Sequence, residues 1–205
     1  MRLALLLLAG CAGYRPPPEL IDRMFALDLS PPPYARFGDH FTIHLEDQAF
    51  RISPWLRSEK TSDWWPRDQK TFVRRSTITN RDGWKVRCET THEIAGGFDV
   101  EGVFHTERLL TTCTSETEEK FALLMDAWPR VDGFVASGSR QYSIRATDES
   151  EGYPDALLVA RGDELVLVVA RDDRAWMRTE LEAEERHRLV QIAAVLWAGQ
   201  ELRLR

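Results

Sequence analysis

The chain has 205 residues, of which 43% are hydrophobic and 29% are charged, and this composition is that of a globular protein with a core rather than a disordered or fibrous chain. Its formal net charge is −6. This acidic balance argues against a nucleic-acid partner, because the phosphate backbone favours a basic protein surface.

The N-terminal residues have the pattern of an export signal. One basic residue, Arg2, precedes a short apolar run that ends in the sequence Leu8-Ala9-Gly10-Cys11. A basic start, a hydrophobic run and small residues before a cleavage point are typical of a secretory signal. The pattern resembles the lipobox of bacterial lipoproteins, which implies that residues 1–10 are a signal peptide and that Cys11 is acylated. An ordinary signal peptide, or a start codon assigned too early, is the alternative.

The apolar run is far shorter than the roughly 20 residues that a spanning helix needs, so the prediction is a lipid anchor rather than a transmembrane segment. Residues 11–36 then contain two proline triplets, at 16–18 and 31–33. Such triplets favour extended polyproline II. Apolar residues over 20–27 fit one or two helical turns between them. We interpret 11–36 as a lipidated, Pro-rich tether, and a Pro-rich interaction segment is the alternative.

From residue 39 onward the pattern is typical of short strands and turns. Residues 40–46 alternate polar and apolar side chains, as a half-buried strand does. Asn80-Arg81-Asp82-Gly83, Gly96-Gly97 and Gly162-Asp163 mark turns. The same criteria predict further strands at 49–53, 71–79, 84–91, 98–104, 106–114, 133–137, 141–147, 156–161, 164–170 and 174–178.

The segment 115–128 allows two interpretations. Ser115 and Glu118 fit a helix capping box, and the apolar residues that follow fit helical spacing. Equally, residues 115–119 could be a hairpin loop that leads to a strand at 120–127. We favour the strand, because the segment lies within a run of predicted hairpins.

The C-terminal region predicts a buried helix over 180–198. Thr179-Glu180-Leu181-Glu182 has the spacing of a capping box, and Gly199 stands where a helix would end. Residues 189–198 are apolar on nearly every face, so this helix has to be surrounded by protein.

Together these elements predict a mainly β protein, a β-rich α+β fold. About 10–12 short antiparallel strands over 37–205 would form a single domain, as a meander or a barrel around the C-terminal helix. This order of elements resembles the tubby-like barrel, a family in which about twelve strands enclose a hydrophobic helix and whose members are often tied to phospholipid. The resemblance rests on no diagnostic motif and assigns no site residue.

Three cysteines are present, and acylation of Cys11 would leave Cys88 and Cys113 as an even pair in an exported protein. We predict a disulfide between them, which would close a loop of about 25 residues and stabilise the fold by roughly 3 kcal/mol. Two buried free thiols are the alternative, because spacing alone does not establish contact.

No motif for catalysis, a metal or a cofactor is found. His40 and His44 would lie about 13 Å apart on a strand, too far to share a metal ion. Glycine-rich phosphate loops, zinc-protease motifs and a nucleophile elbow are all absent from the sequence. We therefore predict no catalytic residues, no metal and no cofactor, with an unrecognised hydrolase as the alternative.

One surface feature remains, a predicted loop over 58–70 that contains Trp64-Trp65-Pro66. Paired tryptophans on a loop could enter a membrane interface, stack on sugars or anchor a partner protein. Burial of both rings against the sheet is the favoured interpretation, because large aromatic side chains are usually mostly buried.

The sequence thus predicts a lipoprotein of the bacterial cell envelope, with the membrane as a partner through its acyl chains and an envelope protein as a further candidate partner. Ala12, rather than an aspartate, follows Cys11. By resemblance to enterobacterial sorting, this implies the outer membrane, with the domain in the periplasm. A non-catalytic binding or structural module is the expected activity. A lipid-handling protein that binds an acyl chain is the alternative.

Overall fold

The structure is a computed structural model, and it describes residues 23–29, 40–64, 67–99, 102–115, 121–126, 131–147, 155–170 and 173–201. The predicted signal peptide and Cys11 lie outside these residues. So do most of the predicted tether and Trp65.

The described residues form twelve strands followed by a helix, α1, at Ala183–Glu201. The strands are β1 Met24–Asp28, β2 Phe41–Leu45, β3 Gln48–Trp64, β4 Arg67–Asn80, β5 Lys85–Asp99, β6 Gly102–Ser115, β7 Phe121–Asp126, β8 Asp132–Ser137, β9 Arg140–Ala146, β10 Ala156–Arg161, β11 Glu164–Ala170 and β12 Arg174–Arg178.

All twelve strands belong to one antiparallel sheet. Its order is β1-β12-β11-β10-β9-β8-β7-β6-β5-β4-β3-β2, so β2 to β12 form a meander and β1 joins the edge of the last strand. The sheet curls into a nearly closed barrel whose two edges are β1 and β2. The predicted mainly β fold with a C-terminal helix is confirmed, including the strand favoured at 120–127, which is β7.

The alternation of side chains explains why these segments form strands. In β2, Ile43 and Leu45 are buried while His44 between them is exposed. In β9, Tyr142 and Ile144 are buried in the same way, with Gln141 and Arg145 exposed. One face of each strand is therefore directed to the barrel interior, as a period of two predicts.

Helix α1 occupies that interior. Residues 189–198 are all buried, with exposed fractions of at most 2%. All of them except Gln191 pack in one apolar cluster with residues from β1 to β12. A helix that is apolar all round is stable only when it is surrounded, and the barrel wall provides that surrounding.

The start and end of α1 differ from the prediction. The backbone N–H of Thr179 donates to the carbonyl of Arg23 at 2.9 Å, and the Thr179 hydroxyl also donates to that carbonyl. Thr179 therefore binds the residue before β1 and does not cap the helix. The first turn of α1 is instead marked by the backbone hydrogen bond from the Arg186 N–H to the Glu182 carbonyl. Gly199 lies inside α1 rather than after it.

The first strand lies within the range predicted as a tether. Met24–Asp28 pairs with all five residues of β12. Phe25 packs against the core and Leu27 is buried, while Ala26 is exposed, so the segment has the period of a strand and not that of the predicted helical turns. The folded domain thus begins before residue 37, and the tether prediction remains for residues that the structure does not describe.

Four strands continue far beyond the barrel. β2 pairs with β3 only to Ile52, and β7 pairs with β6 only from Leu110. Glu59, Phe72, His92 and Leu109 lie side by side in one row across β3 to β6. Beyond this row, the four strands pair only with one another. We call this projection, residues 59–64, 67–72, 92–99 and 102–109, the arm, and at about 3.3 Å per residue it extends roughly 25 Å.

The arm corrects two predictions. Residues 58–70 are not a loop, because β3 and β4 stay paired until Trp64 faces Arg67. Gly96-Gly97 is not a turn, because both glycines lie within β5 and pair with His105 and Phe104. A backbone ladder orders these residues, and a hydrophobic pattern in the sequence does not detect such a ladder. The turns at 80–83 and 162–163 are confirmed, with Gly83 and Gly162 at positive φ.

The barrel has two distinct ends. One end, which we call the entry end, contains the start of α1 and three of the turns: those between β2 and β3, between β8 and β9, and between β10 and β11. The chain also enters β1 at this end, since Met24 pairs with Arg178. The arm projects from the opposite end, where Trp197 near the end of α1 donates to Asp173 at 2.9 Å.

Candidate functional site

The predicted site residues have three different outcomes. Cys11 and Trp65 lie outside the described residues, and Trp64 is described only in its backbone, as the last residue of β3. Cys88 and Cys113 face each other across β5 and β6, and their sulfur atoms are 2.13 Å apart, which is bonding distance. Both are buried in the apolar core, so the pair joins two of the strands that continue into the arm.

The most elaborate polar site is one that the sequence did not predict. At the entry end, Glu185 in the first turn of α1 has an exposed fraction of 2%. Its carboxylate accepts a hydrogen bond from the Tyr142 hydroxyl at 3.3 Å and lies 2.5 Å from the guanidinium groups of both Arg140 and Arg161. Two positive charges and a phenol therefore surround one buried carboxylate.

A second carboxylate extends this site. Glu164, at the start of β11, lies 2.5 Å from Arg161 and 2.5 Å from Arg178 at the end of β12. Glu182, just before α1, also contacts Arg140 at 3.2 Å. We call Glu185, Tyr142, Arg140, Arg161, Glu164 and Arg178 the entry-end network.

The electrostatics of the network favour an ionised Glu164 and a neutral Tyr142. The hydrogen bond from Arg161 lowers the pKa of Glu164, and the positive charge of Arg178 acts in the same direction. Burial raises the pKa of Tyr142, and the negative charge of Glu185 raises it further. The hydrogen bond with Glu185 likewise raises the pKa of Arg140.

The network is suited to holding the helix in the barrel. Both oxygens of Glu185 are engaged, one by the Tyr142 hydroxyl and the other by Arg140 and Arg161. A carboxylate in the first turn of a helix is also stabilised by the helix dipole. The arrangement therefore fixes the start of α1 to β9 and β10, and it leaves Glu185 without a free oxygen for proton transfer.

Sequence reasoning missed this network because its members are separated by up to 45 residues and share no motif. A weaker signal was present, since each charged member stands at the end of a strand beside a turn or at the start of the helix. Arg140 follows the turn at Gly138, and Arg161 and Glu164 flank Gly162-Asp163. Only the closure of the sheet brings these turns together.

A neighbouring polar cluster involves His187 on α1. Gln48 Nε2 donates to the His187 carbonyl at 3.3 Å, and Gln191 Nε2 lies 3.2 Å from His187 Nε2. Gln48 and Gln191 are both buried. The cluster lies between α1 and the start of β3, so it too connects the helix with the barrel wall.

The two histidines considered as metal ligands, His40 and His44, are both exposed. Within the part of the chain that the structure describes, no three His, Cys, Asp or Glu side chains are grouped so that they could hold a metal ion. Among the same described residues, no helix, α1 included, is long and apolar enough to cross a bilayer.

Comparisons of the chain with protein-family models, with curated proteins and with solved structures found no match.

Proposed function

We propose that the protein is a lipoprotein of the bacterial cell envelope, anchored through acyl chains on Cys11, whose folded domain is a non-catalytic binding or structural module. Leu8-Ala9-Gly10-Cys11 after a short apolar run supports the anchor. The Cys88–Cys113 pair at bonding distance is consistent with an oxidising compartment such as the periplasm.

The observation that carries the second half of this proposal is the filled barrel. Barrels that bind small ligands keep a cavity inside the wall. Here residues 189–198 of α1 occupy the interior at exposed fractions of 2% or less. A module of this kind acts through its outer surface, and the engaged oxygens of Glu185 give the buried polar network a structural role.

The anchor also accounts for the way the chain enters the barrel. Residue 23 lies at the entry end, and residues 12–22 would connect it to an acylated Cys11. Eleven residues span at most about 40 Å when extended, so the entry end would stay near the membrane. In this arrangement the arm points away from the bilayer.

Metabolic labelling with an alkyne fatty acid tests the anchor. Cells that produce the full chain should yield a labelled protein in the outer-membrane fraction, and Cys11→Ser should remove the label. Cys88→Ser is the matched control and should remain labelled, because it also removes one cysteine but leaves Cys11 in place. An unlabelled wild-type protein, or a labelled Cys11→Ser variant, would contradict the proposal.

The alternative function is lipid handling, in which the domain binds an acyl chain. It requires space beside α1 or an opening of the sheet between β1 and β2, the two edges of the barrel. Binding of a fatty acid or phospholipid to the purified domain would favour this alternative.

A further inference from the structure

The outer face of the barrel wall carries an exposed apolar pair. Among the described residues, the exposed large hydrophobic side chains are Leu124, at 40%, and Phe134, at 39%. These two residues are direct partners across β7 and β8. Single exposed apolar residues are ordinary on a protein surface, whereas a contiguous apolar group marks a contact surface. The pair is therefore the centre of a candidate interface.

The side chains around this pair are uncharged. In the same row of the sheet, Thr112 on β6 and Ser143 on β9 flank it. The next row towards the entry end consists of Thr114, Ala122, Ala136 and Gln141. We call these eight residues the neutral patch. All eight are half-buried or exposed, while residues that alternate with them, such as Leu123 and Val135, are buried, so the neutral patch faces outward.

Charged residues border the neutral patch on two sides. On β5, Arg87 pairs with the row of Thr114 and Glu89 with the row of Thr112. In the row further from the entry end, Asp132 pairs with Arg145. An apolar centre within a polar and charged border is the usual anatomy of a protein interface.

A glycine holds the backbone of the patch in place. Gly133 pairs with Met125 and precedes Phe134. A Cβ atom at Gly133 would lie 2.6 Å from the Leu124 carbonyl oxygen and 2.9 Å from the Met125 Cα, so β7 and β8 approach more closely here than a side chain allows. The apolar pair is thus fixed before binding, and an ordered surface loses less conformational freedom when it binds.

We propose that the neutral patch binds the neutral patch of a second copy of the chain and forms a two-fold symmetric dimer. The chain has a formal net charge of −6, so two copies repel each other in most orientations. On the neutral patch, two copies meet without like charges facing each other. A two-fold axis sets the same surface against itself, which buries both apolar pairs at once.

Other occupants fit the neutral patch less well. An anionic bilayer attracts lysine and arginine side chains, and the patch contains none. Two apolar side chains alone also give little membrane affinity. A different protein would be selected by complementary charge, which an uncharged surface does not offer.

The size of the patch sets the strength of the dimer. Eight residues from each copy are fewer than the roughly 20–30 of a standard interface, so we expect a Kd of about 10–100 µM. Anchoring in one membrane would raise the effective concentration of the copies. It would also require both entry ends on the same side, with the two-fold axis parallel to the strands. In that arrangement β7 of one copy lies over β8 of the other, and Leu124 faces Phe134 of the second copy.

This orientation rests on the proposed function, whereas the pairing of the two patches does not. A chain without the fatty-acid label would overturn the anchor, and the dimer is measured independently through a crosslink. A labelled chain that gives no crosslink would overturn the dimer alone.

Photo-crosslinking in living cells tests the proposal. A benzophenone amino acid, which keeps an aromatic ring, replaces Phe134 in the full chain, and two copies with different epitope tags are produced together. The matched control carries the benzophenone at His44, which is exposed on the outward face of β2. We expect a product that contains both tags from position 134, about tenfold or more above that from position 44. A product with another protein or with lipid, or no product, would overturn the second copy as the occupant.

Charges placed in the patch give the decisive comparison. Leu124→Lys in both copies should reduce the crosslink from position 134 about tenfold or more, because it sets two like charges in the contact. His44→Lys should leave the crosslink unchanged, and melting curves show whether each variant is folded.

A mixture of Leu124→Lys and Leu124→Glu copies should restore the crosslink to within about threefold of the original, because opposite charges then face each other. Only an interface of the chain with itself predicts this recovery. A crosslink that persists between folded Leu124→Lys copies, or a mixture that shows no recovery, would overturn the proposal.

Discussion

The barrel and the arm are built from the same four strands, β3 to β6, but different interactions hold them in place. In the barrel, inward side chains of these strands, such as Ile52, Ile78, Val86 and Cys113, belong to one buried apolar cluster with residues of α1 and of the other strands. In the arm, the four strands pair with one another and, among the described residues, with no further strand. The difference shows that strand pairing extends beyond the part of the sheet that closes into the barrel, and we expect the largest effects of mutation where side chains are buried, in the barrel.

The largest expected effect is a charge in the barrel interior. Val195 on α1 is 2% exposed, so Val195→Asp would bury an unpaired carboxylate. We expect a loss of about 4 kcal/mol or more in the free energy of unfolding, which is enough to unfold many domains. Val195→Ala is the control and should cost about 1–2 kcal/mol. A folded Val195→Asp protein with wild-type melting temperature, measured by circular dichroism, would contradict the buried position of α1.

The next effect concerns the disulfide between β5 and β6 in the barrel. Replacing Cys88 and Cys113 together by alanine removes a link that closes a loop of 25 residues. We expect a loss of about 3 kcal/mol, measured by chemical denaturation. Reductant should lower the stability of the wild-type protein by a similar amount and leave the double variant unchanged. Equal stability of the two proteins without reductant would show that the link contributes nothing.

The entry-end network should have an intermediate effect. Glu185→Ala removes the carboxylate that Arg140, Arg161 and Tyr142 share. We expect a loss of about 2 kcal/mol, less than for a fully buried pair, because the two guanidinium groups remain partly exposed to water. Glu182→Ala is the control, since Glu182 contacts Arg140 but is exposed, and it should cost about 0.5 kcal/mol or less. Equal losses in the two variants would argue against a special role for Glu185.

The region between the two edge strands, β1 and β2, which we call the seam, should respond locally to mutation. Arg186 on α1 makes hydrogen bonds to both carboxylate oxygens of Glu46, beside β2, at 2.6–2.9 Å, and its guanidinium lies 4.4 Å from the ring centre of Phe25 on β1. One side chain thus connects the two edge strands. Arg186→Ala should cost about 1 kcal/mol and speed hydrogen exchange in 24–28.

Arg75→Ala is the control for the seam, because Arg75 pairs with Glu89 between β4 and β5, neither of which is an edge strand. This variant should leave exchange in β1 unchanged. If both variants changed exchange in β1 equally, the effect would be global rather than local to the seam.

The smallest expected effect is on the dependence of stability on pH. The pKa of Glu164 is lowered by its hydrogen bond with Arg161. A carboxyl with a lowered folded pKa stabilises the protein above its unfolded pKa of about 4.3, and this contribution is lost as the pH falls through the folded value. Glu164→Gln should therefore flatten the fall in melting temperature below about pH 5. Parallel curves for the two proteins would contradict the ion pair.

Sequence reasoning predicted the barrel well and the arm poorly, for one physical reason. Strands such as 156–161 and 164–170 alternate or concentrate apolar residues because they border a core, and this pattern is visible in the sequence. Residues 59–64 and 67–70 are mostly polar, so their composition indicates a loop although the backbone is paired. The entry-end network has no local pattern, because it exists only when distant turns meet.

The helix illustrates the same limit. Its apolar residues 189–198 predicted burial correctly, since no other environment suits them. Its start was predicted three residues early, because Thr179 has the chemistry of a cap but is used to bind Arg23. A local motif competes with a tertiary contact that the sequence alone does not reveal.

The central claim is that the barrel is filled by its own helix, so that the function lies on its outer surface. Native mass spectrometry of residues 16–205, exported behind a cleavable signal and purified without detergent, tests it most directly. We predict a bare protein mass, about 2 Da lower before reduction than after, as one disulfide requires. A stoichiometric adduct that dissociates as a fatty acid or a phospholipid would contradict the filled barrel and favour the lipid-handling function.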